Sequence, residues 1–416
     1  MNLSSYIFIL GRQPELSIAE LASIGSTDTK SCISSLTPLI INPEFTIAKG
    51  TIAEPQDFLN NLGGTIKIAE IFAETEKYQN EIVINFLSEI FKEKTGKQTF
   101  GVSAHGLEKK FLRQALLDIK KGLKKNNFSV RFANKDFENL SSPTVIKEGL
   151  IDFKNRTNLK GAEIIIVSAN GKTFFGHTLA VQNPDAYALR DYDKPYRDMK
   201  VGMLPPKLAQ IMLNLAGPTP KIIYDPFCGS GTLVGEAMLQ NKEILASDIS
   251  LDMTEACEKN LRWLANKFQL SAPASENTFI HDATLPFPKN LKFDAIITEG
   301  TLGPPQNKLP SEHECQKIFS ELGELYKKFF YNLKTILPKH APIIICFPAF
   351  QDRERTVDFF PEKYLAEIKN LGYHTCDILP REWKEISGLT QNPHGSLIYS
   401  RPEQVVAREI FHFEKE

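Results

Sequence analysis

The sequence predicts an α/β chain in two parts. An α+β N-terminal half precedes a C-terminal half built as a mostly parallel sheet with helices on both faces and an antiparallel edge hairpin at its end. Three observations carry this. In the C-terminal half, apolar runs ("KIIYD", "KEILASD", "KFDAIITE", "APIIICF") alternate with helical stretches such as "TLVGEAMLQN" and "LDMTEACEKNLRWLANKF", the rhythm of a parallel sheet with helical crossovers. Three of those runs end in a carboxylate: Asp225, Asp248 and Glu299. With 416 residues, 42% of them hydrophobic, the chain exceeds what one compact core usually holds.

Taken in order, "YIFIL" (Tyr6 to Leu10) reads as a strand, and "PELSIAELASI" as a helix opened by Pro14 at its first turn. "LGGTIKIAEIFAE" is a Gly-Gly turn feeding a strand, and "FGVSAHG" a strand and loop. Leu112, Leu116, Ile119 and Leu123 fall at helical spacing and predict an amphipathic helix. Around that stripe lie Lys109, Lys110, Arg113, Lys120, Lys121, Lys124, Lys125, Arg131 and Lys135 against Glu108 and Asp118. Such a run is most often a solvated face; the sharper reading is a patch for a phosphate backbone. "LSSPTVIKEGL" offers a serine cap before a short helix, and "AEIIIVSANGKTFFGHTLAV" two strands joined by an Asn-Gly turn. "QNPDAYALRDYDKPYRDMKVG" is polar and turn-rich and reads as the connection between domains. "GSLIYSRPEQVVAREIFHFEK" closes the chain as the predicted edge hairpin.

Composition narrows the classes. A formal net charge of -1 excludes a wholly basic nucleic-acid binder but not local basic patches. Six cysteines without CxxC spacing argue against a metal site or a disulfide framework and for reduced thiols. His177, His281 and His394 form no metal spacing either. The N-terminus lacks the pattern of a secretory signal, and the most apolar stretch, Ala341 to Phe350, is far too short to span a bilayer. The expectation is a cytoplasmic protein with no membrane partner.

The chemistry concentrates in "YDPFCGSGTLVGEA". A strand ends at Asp225, Gly229 and Gly231 allow a tight turn, and Thr232 opens a helix whose unpaired N–H groups suit an anion. Gly235 comes one residue late for the GxGxxG of a dinucleotide site, and no lysine follows as in a phosphate-binding P-loop. Asp248, ending the next strand, suits ribose hydroxyls, and Asp282 in "IHDATLPFP" suits an adenine amino group. Three such residues in that order point to nucleoside binding.

DPFCGSGT, the ASD strand end and HDA together resemble the S-adenosylmethionine site of class I methyltransferases that modify exocyclic amino groups. "GRQPELSIAEL", "LGGTIKIAE", "LSSPTVIKEGL" and "RDYDKPYRDMKVGMLPPKLAQIMLNLA" extend the likeness to the THUMP-containing tRNA guanosine N2-methyltransferases, the guanosine-10 group. The resemblance implies a ferredoxin-like region over 1–90, a THUMP domain over 91–183, a linker over 184–202 and a Rossmann-like methyltransferase domain over 203–416. It implies S-adenosylmethionine as cofactor, held by Asp225, Phe227, Gly229, Gly231, Asp248, Ile249, Asp282 and Ala283, with "VGMLPPKLA" closing the site. It implies tRNA as partner, gripped by Lys109, Lys110, Arg113, Lys120, Lys121 and Lys124, and it leaves room for a small activating protein. Oligomeric state is open.

In that family the fourth strand runs out into Thr-Asp-Pro-Pro-Tyr-Gly; here the motif falls on Thr298, Glu299, Gly300, Thr301, Leu302 and Gly303. A carboxylate and a rigidly held carbonyl orient the target amino group there, while the aromatic ring stacks on the base. Glu299 keeps the carboxylate, and the prolines and the aromatic are gone. Phe347 or Phe350 is a candidate replacement for the stacking ring. Three readings compete: an active tRNA guanosine N2-methyltransferase with Glu299 as catalytic residue; a catalytically impaired cofactor- and tRNA-binding protein acting as chaperone or subunit; and a nucleotide-binding enzyme holding a phosphate at the glycine turn. The surviving carboxylate and cofactor positions favour the first.

Overall fold

The computed structural model describes residues 3–25, 33–151, 161–197, 203–352, 357–387, 389 and 392–416. The chain divides into two compact units, the first drawn mainly from residues up to Asp185 and the second mainly from Ala186 onward.

The first unit carries strands β1 (Ser4–Leu10), β2 (Ile33–Ile41), β3 (Phe45–Ile52), β4 (Thr65–Thr75), β5 (Gln98–His105), β6 (Val130–Phe132), β7 (Gly161–Ala169) and β8 (Lys172–Val181) in one sheet, ordered β2-β3-β1-β4-β8-β7-β5-β6. Its helices are α2 (Pro55–Asn60), α3 (Asn80–Phe91), α4 (Lys109–Lys125) and α5 (Ser142–Lys147), with the start of α1 (Pro14–Gly25), whose residues from Ala19 are counted in the second unit. Local chemistry explains several boundaries. Asn170 (φ 51°) and Gly171 (φ 74°) both take left-handed backbone between β7 and β8, the two-residue turn that matches strand twist. Ser141 caps α5 by accepting from the Thr144 amide. The stripe read from the sequence is buried on α4: Leu112, Leu116, Ile119 and Leu123 pack with Val83, Leu87 and Phe100.

The second unit runs through α6 (Pro184–Tyr192), α7 (Pro206–Leu215), β9 (Ile222–Asp225), α8 (Thr232–Leu239), β10 (Glu243–Asp248), α9 (Leu251–Phe268), β11 (Thr278–Ile280), β12 (Ala295–Thr298), α10 (Glu312–Leu333), β13 (Ile343–Gln351), β14 (Val357–Asp358), α11 (Glu362–Asn370), β15 (Tyr373–Thr375), α12 (Arg381–Ser387), β16 (Leu397–Tyr399) and β17 (Val406–Lys415). Its sheet is ordered β11-β10-β9-β12-β13-β17-β15, with β14 on β13 and β16 on β17. β11 through β13 pair in parallel, and β17 is antiparallel to both β13 and β15. This is a Rossmann-like, doubly wound sheet. Its strand order reverses beside β9, where β10 lies on one side and β12 on the other, so a crevice opens at the carboxyl ends of β9 and β12. β13 is buried along its whole length, as a central strand covered on both faces must be.

One expectation is corrected. The C-terminal hairpin forms, with Leu397 opposite Ile410, but β17 lies inside the sheet and the edge is β15. β17 is ten residues long and mostly buried, enough to pair on both sides, whereas β15 has three residues. The polar stretch read as a connection contains a helix, α6, and is anchored on the second unit. Arg190 donates to Glu236 on α8 at 2.7 Å, and Lys194 to Thr232 at 2.9 Å. Asn260 on α9 accepts from the Tyr196 amide at 3.0 Å. Among the described residues no helix is long and apolar enough to cross a membrane.

Candidate functional site

The turn after β9 is held by its own backbone and by the next strand. The Cys228 amide donates to the Ser247 carbonyl at 2.9 Å, the Gly229 amide to Asp248 Oδ2 at 3.0 Å, and the Gly231 amide back to the Cys228 carbonyl at 2.8 Å. Gly231 has φ 81°, and a Cβ there would lie 2.6 Å from the Cys257 sulfur, so only glycine serves. Asp248 is fixed at both oxygens, since Oδ1 accepts from the Ser250 amide at 3.0 Å.

Beside this turn lies a cavity of about 370 Å³. Asp225, Phe227, Gly229 and Glu299 line it, together with Cys228, Ser230, Thr232, Leu233 and Met253. Met203 and Leu204 also line it, where "VGMLPPKLA" is expected to close the site; α7 then starts at Pro206 with Pro205 as its cap. Val201 and Gly202 lie outside the described residues. Asp225 is 3% exposed. Burial pushes its carboxyl up to about 7, and the Asp248 and Glu299 charges add to that against hydrogen bonds from Thr298 and the Phe227 amide. The two carboxyls in its lining, Asp225 and Glu299, with no lysine or arginine among the lining residues, favour a cationic ligand over a phosphate.

The other expected cofactor residues sit outside that lining. Gly231 faces a smaller neighbouring cavity with Lys194 and Asn260. Asp248 ends β10 and Asp282 follows the adjacent parallel strand β11, and the His281 amide donates to the Asp248 carbonyl at 3.0 Å. Asp282 Oδ1 accepts from the Thr284 amide at 2.8 Å and hydroxyl at 2.7 Å, which holds its pKa down. Ile249 is 68% exposed, an apolar surface next to Asp248, while Ala283 is buried in the core.

Glu299 follows β12 directly. Arg408, on β17, donates from Nε to Glu299 Oε1 at 2.5 Å; its side chain is 4% exposed and that of Glu299 is 21% exposed. The rest of the loop is held from α10. The Tyr326 hydroxyl accepts from the Thr301 amide at 2.9 Å and donates to the Thr301 carbonyl at 2.6 Å. Gly300 has φ 67°, and a Cβ there would meet the Tyr326 oxygen at 2.5 Å. Its amide donates to Thr298 Oγ1 at 3.1 Å. Where the family's prolines would stand, at Gly300 and Thr301, the loop is thus fixed by a buried phenol. Arg408 and Tyr326 are absent from the residues expected from sequence: they lie 109 and 25 positions from their partners, in a strand and a helix with no motif of their own.

Phe347 and Phe350 are buried in the core and cannot stack on a base, which corrects that expectation. Phe347 instead packs on Tyr326, ring centroids 4.6 Å apart. Gly303 faces Ile318 on α10, and neither it nor the two prolines after it line the cavity.

In the first unit, α4 presents its basic residues away from the buried stripe. Lys121 and Lys124 are exposed, Arg113 lies over the Phe137 ring and Lys120 over Phe132, each at 5.1 Å, and Lys110 pairs with Glu108 at 2.9 Å. The Lys109 side chain lies outside what is described.

Residues 194–359 match the family model "UPF0020: RMKL-like, methyltransferase domain". The chain is 27% identical over 248 residues to the tRNA (guanine(10)-N2)-dimethyltransferase of Pyrococcus abyssi, covering 56% of this chain and 68% of that protein. It is 25% identical over 195 residues to the enzyme of the same name from Methanothermobacter thermautotrophicus, covering 46% of this chain and 52% of that protein. The aligned part thus spans about half the length of that relative. Among solved structures, TrmN from Thermus thermophilus aligns over 100% of both chains at 14% identity and a TM-score of 0.49.

Proposed function

We propose that this chain, whose residues 194–359 match the UPF0020 RMKL-like methyltransferase domain, is an S-adenosylmethionine-dependent methyltransferase acting on the exocyclic N2 amino group of a guanosine in tRNA, guanosine-10. The observation that carries the reading is the acidic cavity at the carboxyl ends of β9 and β12, with buried Asp225 beside Glu299. A sulfonium bearing an ammonium group is the kind of cation such a cavity would take. When bound, S-adenosylmethionine supplies an electrophilic methyl group.

In this reading Asp225 faces the positive charge of the cofactor, and the glycine turn admits its backbone. Asp248 meets the ribose, while Ile249, Asp282 and Ala283 border the adenine. A guanine amino group is a weak nucleophile because its lone pair is delocalised into the ring. The residues around it therefore have to aim that lone pair, with no need to remove a proton before attack. Arg408 fixes Glu299 through Oε1; Oε2 accepts one amino hydrogen. Tyr326 fixes the loop backbone at Thr301, so that a loop carbonyl accepts the other. Charge developing on nitrogen is then stabilised by a carboxylate already in place. The basic face of α4 contacts tRNA phosphates within a THUMP domain over 91–183.

Methyl transfer from labelled S-adenosylmethionine to unmodified tRNA, followed by nucleoside digestion, tests the proposal. Labelled N2-methylguanosine or its dimethyl form is the expected product. A folded protein that binds neither cofactor nor tRNA overturns the reading. One that binds both and transfers nothing is the impaired binding protein.

A further inference from the structure

The scattered cysteines and histidines look unrelated in sequence, yet three donor side chains, His374, Cys376 and Glu414, meet at the β15 edge of the second sheet, with His412 beside Glu414. His374 pairs with Glu414 across β15 and β17, and the Cys376 amide donates to the His412 carbonyl at 2.8 Å. Alternate strand residues share a face, so His374 and Cys376 on one side and His412 and Glu414 on the other form a square. Tyr373, Phe411 and Phe413 point the other way, into the core.

The donor atoms are close. Those of His374, Cys376 and Glu414 lie within 4.8 Å of one another, and none of these residues is fully exposed. His412 Nε2 lies 3.7 Å from Glu414 Oε1; it is buried and has no hydrogen-bond partner among the described residues. A buried ring nitrogen without a partner is uncommon and costly. It is also what a metal ligand looks like before the metal is counted.

We propose that His374, Cys376, His412 and Glu414 form a structural site for a zinc-type divalent cation. One thiolate, two imidazoles and one carboxylate suit such an ion in tetrahedral geometry, and the two anionic ligands balance its charge. At bond lengths of about 2.0–2.3 Å, tetrahedral donors stand roughly 3.3–3.8 Å apart, so modest rotations bring His374, Cys376 and Glu414 onto one ion, and the His412 ring turns in beside Glu414 as the fourth ligand. Binding forms four bonds to the ion and displaces the Cys376 thiol proton to solvent. The ion would fasten the short edge strand β15 to β17, the strand that carries Arg408. This inference does not depend on what the cavity binds.

The test uses the full chain, stripped of metal by chelation and titrated with Zn²⁺ alone and with Co²⁺ as an optical reporter. About one Zn²⁺ per chain is expected, together with a zinc-dependent rise in the unfolding midpoint. The cobalt form should show thiolate-to-metal charge-transfer absorption. Cys376→Ser, which keeps the volume, should abolish that absorption and the midpoint rise, and His412→Gln should weaken affinity at least about tenfold. A charge-transfer signal that survives in Cys376→Ser puts the ion elsewhere and overturns the site. So does wild-type protein that neither binds zinc nor gains stability from it; the four residues are then a hydrogen-bonded cluster only.

Discussion

Arg408 and Glu299 form an ion pair at 2.5 Å, the arginine on an antiparallel strand and the glutamate at the mouth of a parallel one. The pair makes the glutamate both a ligand-facing group and a structural partner. Removing the carboxylate outright would strand a buried guanidinium, so Glu299→Ala confounds activity with folding. Glu299→Gln removes the same charge but keeps the shape and an acceptor for Arg408 Nε, so it disturbs folding less. We predict that it lowers the methyl-transfer rate about 10²–10³-fold, with cofactor affinity changed far less. Rapid-quench single-turnover kinetics would check this.

Arg408→Met is predicted to destabilise the protein by about 3 kcal/mol, the low end for a broken buried pair because Glu299 keeps some solvent contact. Chemical denaturation measures it. In Glu299→Gln/Arg408→Met the penalty should shrink, since no unpaired charge remains.

Tyr326→Phe removes one hydroxyl and leaves a backbone N–H and a carbonyl of Thr301 unpaired. It should cost about 2–3 kcal/mol of stability and lower kcat with little change in the cofactor KM. Gly300→Ala should act in the same direction, because its Cβ would press on the Tyr326 oxygen and its backbone is left-handed. Unchanged kcat in both variants would show that the loop needs no support from α10.

The fold was legible from sequence where local rules and global topology agree. Alternating runs predicted β9, β10, β12 and β13, the Asn-Gly pair predicted the β7–β8 turn, and leucine spacing predicted α4. The place of β17 inside the sheet was not legible, because strand order depends on pairing partners and not on any run of residues. The site divided likewise. Asp225, Gly229 and Glu299 stand in short motifs, whereas Arg408 and Tyr326 act on residues far along the chain. The His374–Cys376–His412–Glu414 square escapes spacing rules because its two halves lie on different strands.

Asp225 gives the pH dependence. Its folded pKa, near 7, is raised above the unfolded value of about 3.9. The native state therefore holds the extra proton between those values, and stability falls as pH rises from about 4 to about 7, then levels. A cation that needs the carboxylate ionised should bind more tightly as pH rises through 7. Asp225→Asn should flatten both curves, in calorimetric binding of S-adenosylmethionine and in denaturation across pH.

For the basic helix, Lys121→Glu/Lys124→Glu should weaken tRNA binding about tenfold or more and reduce the salt slope by roughly one for each phosphate the helix ceases to neutralise. Filter binding over a salt series measures both. Methyl transfer at saturating tRNA should be unchanged.

The most direct measurement is the single-turnover rate of methyl transfer to unmodified tRNA at saturating S-adenosylmethionine, for wild type and Glu299→Gln side by side, with cofactor binding measured on the same preparations. The predicted result is N2-methylated guanosine from wild type and a rate lower by about 10²–10³-fold in the variant, with both proteins binding cofactor. Equal rates, or no product from wild type that binds both cofactor and tRNA, would contradict a catalytic role for Glu299.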